Sequence, residues 1–307
     1  MRAVCIHRFG PPAVIVMDDI QRPIPGSGEV LIRVAATGVG PWDALIREGK
    51  SEVSPPPPLT PGSDLSGIVE ALAPDVADFK TGDEVYGVTN PQFCGANAEF
   101  AVASANMVAK KPKRLSHLEA ASAPVIAVTA WQMLFDYARA VENQRVLILG
   151  AGGNVGAYAV QFAAMKRLNI TAVVGSKDVE YVRSLGAESV LDYRSGSFEE
   201  ILSPVDVVID TVGGETRERS FRLVKPGGIV VSVVSTDPLQ QRSDVRSVFF
   251  YVEVTTARLN TISKMFDDGI LLPQVGSVLP LDQARTAHEM LAGAPHKRGK
   301  ILLQANS

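Results

Sequence analysis

Short apolar runs alternate with amphipathic segments over residues 145–252. The first run, Val146–Leu149, is uninterrupted and β-leaning, as expected for a strand that is covered on both faces. Segments with helical spacing of apolar residues separate the runs, so the pattern predicts a doubly wound parallel sheet of the α/β class. The further predicted strands are Ile170–Val174, Ser189–Leu191, Val205–Asp210, Gly228–Val234 and Val248–Val252.

A glycine-rich turn, GAGGNVG, follows the first predicted strand and precedes a helical pattern. Strand, glycine turn and helix in this order open a dinucleotide-binding βαβ unit. The glycines let backbone N–H groups approach a pyrophosphate, and the helix N-terminus adds partial positive charge. The fingerprint G-x-G-x-x-G is imperfect in both possible frames. With Gly150 and Gly152 the last position holds Val155, and the frame one residue later starts at Ala151. A plain strand-to-helix turn is the alternative.

The end of the second predicted strand determines the expected cofactor. An NAD site places an acid about 20 residues after the fingerprint, where it binds the ribose 2′-hydroxyl. Here Gly175, Ser176 and Lys177 occupy that place, and a small residue, a hydroxyl and a cation favour a 2′-phosphate. Tyr193 and Arg194 close the third strand, within reach of the same phosphate. The sequence predicts NADPH, the alternative being a solvated Lys177 beside a helix-capping Asp178.

Residues 1–115 predict a β-rich module with glycine and proline turns. Its apolar runs are Val14–Met17, Val30–Ala35, Ser66–Leu72, Glu84–Val88 and Glu99–Ala103. The Pro55–Pro58 run indicates a stiff surface connection, or alternatively a partner-binding motif. Ser116 and Glu119 have the spacing of a capping box and predict the start of a helix.

Four elements follow the predicted parallel sheet, and they are too few for a third domain. They are a helix at Thr256–Asp267, a strand at Gln274–Leu279, a helix at Leu281–Leu291 and a strand at Gly299–Leu303. We expect them to return to the β-rich module. The predicted domains are therefore residues 1–115 with 255–307, and residues 116–254.

The composition of the 307-residue chain argues against several classes of protein. The net charge of -3 provides no basic field for nucleic acid, and no basic amphipathic stretch suggests a membrane surface. The start of the chain lacks an apolar signal core, and the apolar window Ala120–Phe135 is too short to span a bilayer. Two cysteines, Cys5 and Cys94, predict neither a disulfide framework nor a cysteine zinc cluster. A cytoplasmic protein is expected.

The motifs in this order and spacing resemble the zinc-independent, quinone oxidoreductase-like branch of the medium-chain dehydrogenase/reductase superfamily. The resemblance covers essentially the whole chain. It is carried by GVGPWDALIREG (38–49), LTPGSDLSGIVE (59–70), TGDEVYGV (81–88), VTAWQML (128–134), LGAGGNVGAYAVQ (149–161), YVRSLGAESVLDYR (181–194), DTVGG (210–214), VKPGG (224–228) and RGKILL (298–303). It implies a GroES-like catalytic domain split around a Rossmann domain, with NADPH and a small-molecule substrate in the cleft between them. It also suggests a homodimer formed by sheet extension near residues 248–267.

Residue by residue, the resemblance implies pyrophosphate contacts at the glycine turn and nicotinamide contacts at two strand ends. The carboxamide would be held by the backbone of residues 250–252. Thr129 is alternatively a core helix residue whose hydroxyl bonds its own helix. With the residues for the 2′-phosphate, the predicted cofactor-binding set is Thr129, Gly152, Gly153, Asn154, Val155, Gly175, Ser176, Lys177, Tyr193, Thr211, Val212, Gly213, Val233, Val234, Phe250 and Val252.

No metal site is expected. Zinc-dependent relatives carry a Cys ligand in the segment that matches Val39–Asp43 and a His-Glu pair where this chain has Ser63 and Asp64, and both are absent here. The four histidines show no ligand spacing, so surface or core roles are favoured for them. Many relatives also have Asn where Gly40 stands, and glycine cannot supply that side chain's hydrogen bonds. Asp43 is expected to fix its loop, and Cys94 to pack as a small hydrophobic residue.

Without a metal to polarise an alcohol, the expected reaction is hydride transfer from NADPH to a quinone or an α,β-unsaturated carbonyl. Candidate residues at the reaction centre are Trp42, as a pocket wall or alternatively as a packing residue of the β-rich module, and Tyr86 and Tyr251, as proton donors, with solvent as an alternative donor. A pathway-specific enoyl reductase and an NADPH-binding sensor or structural protein are the alternative functions. The polar segment Ser235–Ser247 is expected to be a mobile loop.

Overall fold

A computed structural model of the chain describes residues 1–194, 196, 198, 202–234 and 242–305. Its strands are β1 (Arg2–Ile6), β2 (Ile15–Asp19), β3 (Glu29–Val39), β4 (Asp64–Leu72), β5 (Glu84–Val88), β6 (Phe100–Ser104), β7 (Val108–Lys110), β8 (Arg145–Leu149), β9 (Asn169–Val174), β10 (Ser189–Asp192), β11 (Val205–Asp210), β12 (Val224–Ser232), β13 (Arg246–Phe249), β14 (Val275–Pro280) and β15 (Lys300–Gln304). Its named α-helices are α1 (Pro41–Arg47), α2 (His117–Ala121), α3 (Pro124–Trp131), α4 (Asn154–Met165), α5 (Val179–Ser184), α6 (Gly214–Phe221), α7 (Thr256–Asp267) and α8 (Ala284–Leu291).

The chain folds into two compact units. Unit 1 contains Met1–Val125 and Val254–Ser307, and unit 2 contains Ile126–Glu253. The first sequence-based boundary, between residues 115 and 116, differs from this division. Helix α2 packs on β3 and β4 of unit 1, so the segment that follows residue 115 stays with that unit. The capping box predicted at Ser116 and Glu119 is present at the start of α2.

Unit 2 is built on a parallel sheet with the strand order β10-β9-β8-β11-β12-β13 among the described residues. This is the order of the doubly wound dinucleotide-binding fold, in which the chain changes direction between its first and fourth strands. Here those strands are β8 and β11, and they pair in parallel from Val146 with Val207 to Leu149 with Asp210. The prediction of a doubly wound parallel sheet is confirmed.

The sixth strand was predicted at Val248–Val252 and lies instead at Arg246–Phe249. Its register is fixed by β12, because Ile229 pairs with Arg246 and Ser232 with Phe249. The chain then leaves the sheet, and Phe250 stacks on Tyr137 with ring centroids 4.3 Å apart. Part of the segment expected to be mobile, residues 235–241, lies outside the described residues.

Unit 1 contains a mostly antiparallel sheet. Its order is β14-β15-β3-β4-β5-β7, and β6 also pairs with β3. The expectation that the C-terminal elements return to the β-rich module is confirmed, since β15 pairs antiparallel with β3 from Ile301 with Val39 to Gln304 with Ala36. Together the two units give the predicted combination of a GroES-like β-rich fold and a Rossmann fold.

The sequence analysis missed β1, β7 and α1, which are all short. Helix α1 follows Gly40 directly, with Pro41 at its first position and Asp43 accepting a hydrogen bond from the Gly40 N–H at 2.7 Å. Proline at the first position and an acid in the first turn are signals of a helix start. No helix of the described residues is long and apolar enough to cross a membrane.

A buried arginine–histidine contact joins α1 to α8 in unit 1. The Arg47 guanidinium donates to His288 Nδ1 at 2.8 Å and to the carbonyl oxygen of Gly10 at 2.9 Å. Both side chains are buried. Burial, with the charge of Arg47 as a second cause, lowers the pKa of His288 to about 4 from its ordinary value of 6.5. The contact therefore requires a neutral imidazole.

We expect this contact to make the protein sensitive to acid. As the pH falls below 6.5 the unfolded chain binds a proton at residue 288 before the folded protein does, so the free energy of unfolding decreases until the folded pKa is reached. Gln at this position keeps an acceptor for Arg47 and does not titrate. Between about pH 7 and about pH 4.5, the wild type should lose roughly 2 kcal/mol more than His288→Gln in urea denaturation. Equal losses would contradict the assignment.

Candidate cofactor and active site

The glycine turn between β8 and α4 lies at the carboxyl end of the sheet, at the point where the strand order reverses. Ligands of doubly wound sheets bind at this place. Gly150 has a φ of +72°, which favours glycine, and the Gly153 N–H donates to the Gly150 carbonyl at 2.9 Å. A Cβ at Gly156 would overlap the Gly150 carbonyl oxygen and lie 2.7 Å from the Ala151 Cα. The structure therefore uses Gly150 for the turn, Gly153 to begin the helix and Gly156 for close packing.

Asn154 and Val155 begin α4 directly after Gly153. The first N–H groups of an α-helix have no partner within the helix, and they carry partial positive charge. Gly152 precedes them in the same turn. The predicted pyrophosphate residues thus form one continuous backbone surface that can accept an anion.

The carboxylate of Asp210, at the end of β11, ties two neighbouring loops together. One oxygen accepts from the N–H groups of Val212 at 3.0 Å and Gly213 at 2.8 Å. The other accepts from the Ser232 hydroxyl at 2.7 Å, and that hydroxyl accepts from the Val234 N–H at 3.3 Å. Asp210 is fully buried. The structure therefore brings together the 211–213 and 233–234 segments that were assigned to the nicotinamide.

The sequence analysis did not single out Asp210 as a site residue. The sequence feature that could have identified it is an acidic residue at the end of an apolar strand, directly before a Thr-Val-Gly-Gly turn. Thr211 supports the same turn, because its hydroxyl donates to the Leu149 carbonyl at 2.8 Å. Arg217 is also buried, and its Nε lies 3.7 Å from Asp210.

Two large apolar side chains beside this network are exposed. The exposed fraction is 51% for Val212 and 49% for Val234, although the ends of the strands that precede them, Asp210 and Ser232, are fully buried. Apolar surface next to a fixed polar turn is typical of a binding site for a ligand with both kinds of surface. A dinucleotide fits these residues: the helix N-terminus suits its pyrophosphate, and the valines suit the face of its nicotinamide ring.

The residues predicted for the 2′-phosphate meet at the ends of β9 and β10. The Tyr193 N–H donates to the Val174 carbonyl at 3.0 Å, and a Cβ at Gly175 would lie 3.6 Å from the Tyr193 ring. The Arg194 Nε donates to the Tyr193 hydroxyl at 3.0 Å. Ser176 and Lys177 follow Gly175 and are exposed. The structure thus places two cations beside neighbouring strand ends.

An open cleft adjoins this group and has a volume of about 550 Å³. It is lined by Tyr193, Arg194, Gly196, Glu215, Glu218, Arg219 and Arg222.

The sequence analysis also missed an acidic residue beside the glycine turn. A Cβ at Gly152 would lie 2.9 Å from side-chain atoms of Asp178. A carboxylate therefore adjoins the glycine turn on the side of Lys177.

The segment predicted to hold the carboxamide is fixed by two contacts within unit 2. Besides the stacking of Phe250 on Tyr137, the Glu253 N–H donates to the Gln132 side-chain oxygen at 2.9 Å. Val252 lies between these two anchored positions. Thr129 lies on α3 and is buried.

Two of the candidate reaction-centre residues differ sharply in exposure. Tyr86 is fully buried, and its hydroxyl donates to the Leu259 carbonyl at 2.7 Å and accepts from Ser263 at 3.0 Å. Burial also raises the pKa of Tyr86. Tyr86 therefore fastens β5 to α7 and does not serve as a proton donor to substrate, which corrects the prediction from sequence. Tyr251 is 71% exposed.

The residues that replace the zinc ligands of relatives are bound to neighbouring side chains. The Trp42 Nε1 donates to the Ser63 hydroxyl at 3.0 Å, and Asp64 lies 2.7 Å from the Lys300 Nζ. Burial raises the pKa of Asp43 to about 7. In the described ranges no group of three or more His, Cys, Asp or Glu side chains could hold a metal ion. Each histidine has a protein partner within hydrogen-bonding distance: Asp18 for His7, Ser66 for His117, Arg47 for His288 and the Lys297 carbonyl for His296.

Comparison with known proteins identifies the family. Residues 26–113 match the model of the alcohol dehydrogenase GroES-like domain, and residues 185–303 match the model described as zinc-binding dehydrogenase. The quinone oxidoreductase of Mus musculus is 31% identical over an alignment of 324 positions. The alignment covers 99% of this chain and 97% of that protein. The chain belongs to the quinone oxidoreductase-like branch of the medium-chain dehydrogenase/reductase superfamily.

Other members of the superfamily are similar to this chain in sequence and in structure. The quinone oxidoreductase of Homo sapiens is 30% identical and covers 99% of this chain and 97% of its own. The solved quinone oxidoreductase of Coxiella burnetii superposes with a TM-score of 0.92 at 30% identity, over 100% of this chain and 99% of that one. A mycobacterial protein solved in complex with NADPH gives a TM-score of 0.87 at 26% identity, over 99% of both chains. NAD(P)H is the cofactor typical of this superfamily.

We expect Asp210→Ala to weaken dinucleotide binding by about 10- to 100-fold, because two loop N–H groups lose a charged acceptor. Asp210→Asn is the matched control: it keeps one side-chain oxygen for Val212 and Gly213 and should retain most of the affinity. Fluorescence titration with NADPH and NADH measures both variants. Circular dichroism shows whether Asp210→Ala is folded. A folded Asp210→Ala protein with wild-type affinity would show that the hydrogen bonds to Asp210 do not support cofactor binding.

Proposed function

We propose that this protein is an NADPH-dependent reductase of quinones or α,β-unsaturated carbonyls that works without zinc. The observation that carries the proposal is the Asp210 network. It fixes the loops that follow β11 and β12, beside the reversal of strand order between β8 and β11, in a family that includes quinone oxidoreductases. The proposal for NADPH rests on Lys177 and Arg194 at adjoining strand ends, and a related mycobacterial protein was solved with NADPH.

The proposed roles divide between backbone and side chains. The α4 N-terminus binds the pyrophosphate, and the Asp210 and Ser232 pair orients the loops beside the nicotinamide. Bound NADPH supplies a hydride. Val212 and Val234, exposed in the described structure, exclude water from the ring face. With Tyr86 buried, Tyr251 and solvent remain as sources of the proton that an enone requires.

The absence of zinc chemistry is supported by the residues that stand at the ligand positions of zinc-dependent relatives. The segment Val39–Asp43, which matches the segment with the Cys ligand in those relatives, contains no cysteine. Ser63 accepts from Trp42, and Asp64 is paired with Lys300. A metal would have to displace these partners. The acceptor instead requires its own electrophilicity, which quinones and conjugated carbonyls possess because their oxygen delocalises the incoming charge.

Steady-state NADPH oxidation with a panel of quinones, enones and aliphatic aldehydes tests this function. We expect turnover with the first two groups, unchanged after dialysis against a chelator, and none with unconjugated aldehydes. Turnover confined to a single enoyl substrate would favour a pathway-specific enoyl reductase. Tight NADPH binding without turnover of any acceptor would favour a sensor or structural protein.

Position 177 tests the cofactor separately. Lys177→Ala should weaken NADPH binding by roughly 10- to 100-fold and NADH binding little, because it removes a charge-assisted contact to the 2′-phosphate. Lys80→Ala removes the same charge from an exposed loop of unit 1 and serves as the control. Asp178→Asn should strengthen NADPH binding, since it removes a negative charge beside the glycine turn. Parallel losses for NADPH and NADH in Lys177→Ala would refute the assignment.

A further inference from the structure

Helix α3 continues directly into a π-helix, Gln132–Tyr137, within unit 2. The wider turn is seen in the Ala138 N–H, which donates to the Met133 carbonyl five residues earlier at 3.0 Å. In an α-helix, residues 132 and 137 would point roughly 140° apart, because about 3.6 residues make one turn. A π turn takes in nearly one more residue, so its first and last residues come closer to one face. Such turns are rare in proteins and are frequent at functional sites.

The two end residues of the π-helix contact the same short stretch of chain. The Tyr137 ring stacks on Phe250, with an angle of 27° between the ring planes. The Gln132 side-chain oxygen accepts from the Glu253 N–H at 2.9 Å. Gln132 and Phe250 are both buried, so water competes little for either contact. The π-helix therefore holds both ends of the segment 250–253.

An aromatic cluster fixes the π-helix to the helix that follows the glycine turn. Trp131, the last residue of α3, lies edge-on to Phe135 of the π-helix and to Phe162 of α4, with ring centroids 4.5 and 5.6 Å apart. Phe135 also contacts Phe162 directly, at 5.9 Å. Edge-to-face contacts in this range stabilise aromatic pairs beyond their buried area. The cluster thus links α4, the proposed pyrophosphate helix, to the π-helix.

The parallel sheet determines where the segment begins. Phe249, the last residue of β13, pairs with Ser232, whose hydroxyl donates to Asp210. Tyr251 and Val252 lie outside the described strands and helices, so a strand ladder does not occupy their backbone N–H and C=O groups. A carboxamide carries an acceptor oxygen and an N–H₂ donor group, and backbone N–H and C=O groups complement both. The segment therefore offers suitable groups close to the Asp210 network.

A buried glutamine is a costly way to satisfy one backbone N–H. The side chain of Gln132 loses rotamer freedom when it is fixed, and a buried amide requires hydrogen-bond partners. Solvent could satisfy the Glu253 N–H without this cost, because Glu253 lies at the surface. The contact therefore fixes the place of the segment, in addition to pairing one N–H group.

We propose that the π-helix positions the nicotinamide: Gln132 and Tyr137 hold the backbone of residues 250–252 in the place where it binds the carboxamide of the cofactor. This inference rests on the proposed reductase function and on the assignment of the carboxamide to that segment. Gln132 and Tyr137 are positioning residues in this role, because they act through Glu253 and Phe250 and do not touch the cofactor.

Ligands that contain or lack the carboxamide test this role by binding alone. The probes are NADP⁺, its 3-acetylpyridine analogue, in which a methyl group replaces the amide nitrogen, and adenosine 2′,5′-bisphosphate, which has no nicotinamide. Calorimetric titration should show that the wild type binds NADP⁺ more tightly than the analogue. Gln132→Met has a similar length and lacks the amide oxygen. It should weaken NADP⁺ binding roughly 3- to 10-fold, reduce the preference over the analogue, and change bisphosphate binding less than about twofold.

Matched variants separate the contacts from a loss of structure. Gln132→Glu keeps an acceptor oxygen in either protonation state, and Tyr137→Phe keeps the stacked ring, so both should retain the preference for NADP⁺. Tyr137→Leu removes the stack and should reproduce the effect of Gln132→Met, since the aromatic contact is of similar strength. If Gln132→Met does not fold, Tyr137→Leu decides by the same comparison.

Two results would overturn the proposal. Equal losses for NADP⁺ and the bisphosphate in these variants would show a general structural role, and unchanged affinity for all three ligands would show no role. Equal affinity of the wild type for NADP⁺ and the analogue would refute the carboxamide assignment, and this inference with it, while leaving the reductase function intact. The reductase function fails separately if the wild type reduces no acceptor. The titrations still decide the positioning role in that case, because they require no turnover.

Discussion

The carboxyl edge of the parallel sheet in unit 2, the candidate cofactor site, depends on one buried carboxylate, that of Asp210. It receives two loop N–H groups from the segment after β11 and the Ser232 hydroxyl from the end of β12. A charged acceptor strengthens such hydrogen bonds, and a buried site keeps water from competing for the donors. The loops on the two sides of Asp210 therefore hold one arrangement, and the exposed Val212 and Val234 are presented on a fixed backbone.

The elements of this edge were predictable from local patterns. Apolar runs of strand length, separated by helical spacing, specified the parallel sheet and its alternation because both periods can be seen within a few residues. The glycine frame was ambiguous in the sequence, since Gly152 and Gly153 both match part of the fingerprint. The structure resolves it through Gly156, where a Cβ would overlap the Gly150 carbonyl. That contact is between a helix and the turn before it, and spacing alone does not reveal it.

The contacts that decide residue roles join positions far apart in the chain and could not be predicted locally. Tyr86 stood out as a candidate donor until its hydroxyl was found on the Leu259 carbonyl. The sixth strand begins and ends earlier in the chain than predicted, because its register is set by β12. The apolar run that suggested the prediction continues past the point where Phe250 leaves the sheet. Trp42 and Lys300 lie near opposite ends of the chain, and only the pairing of β15 with β3 brings them together.

Both units use the same physical device, a buried carboxylate at a strand end that accepts from backbone and side chain together. In unit 1 Asp64, the first residue of β4, accepts from the Val125 N–H and pairs with Lys300. In unit 2 Asp210, the last residue of β11, accepts from the Gly213 N–H and Ser232. An apolar residue could fill either volume, but it would not fix the direction of its partners. Removal of one partner leaves a buried charge, which is costly. The fold therefore tolerates these carboxylates only with their partners in place, and this requirement fixes the positions of Lys300 and of the cofactor loops.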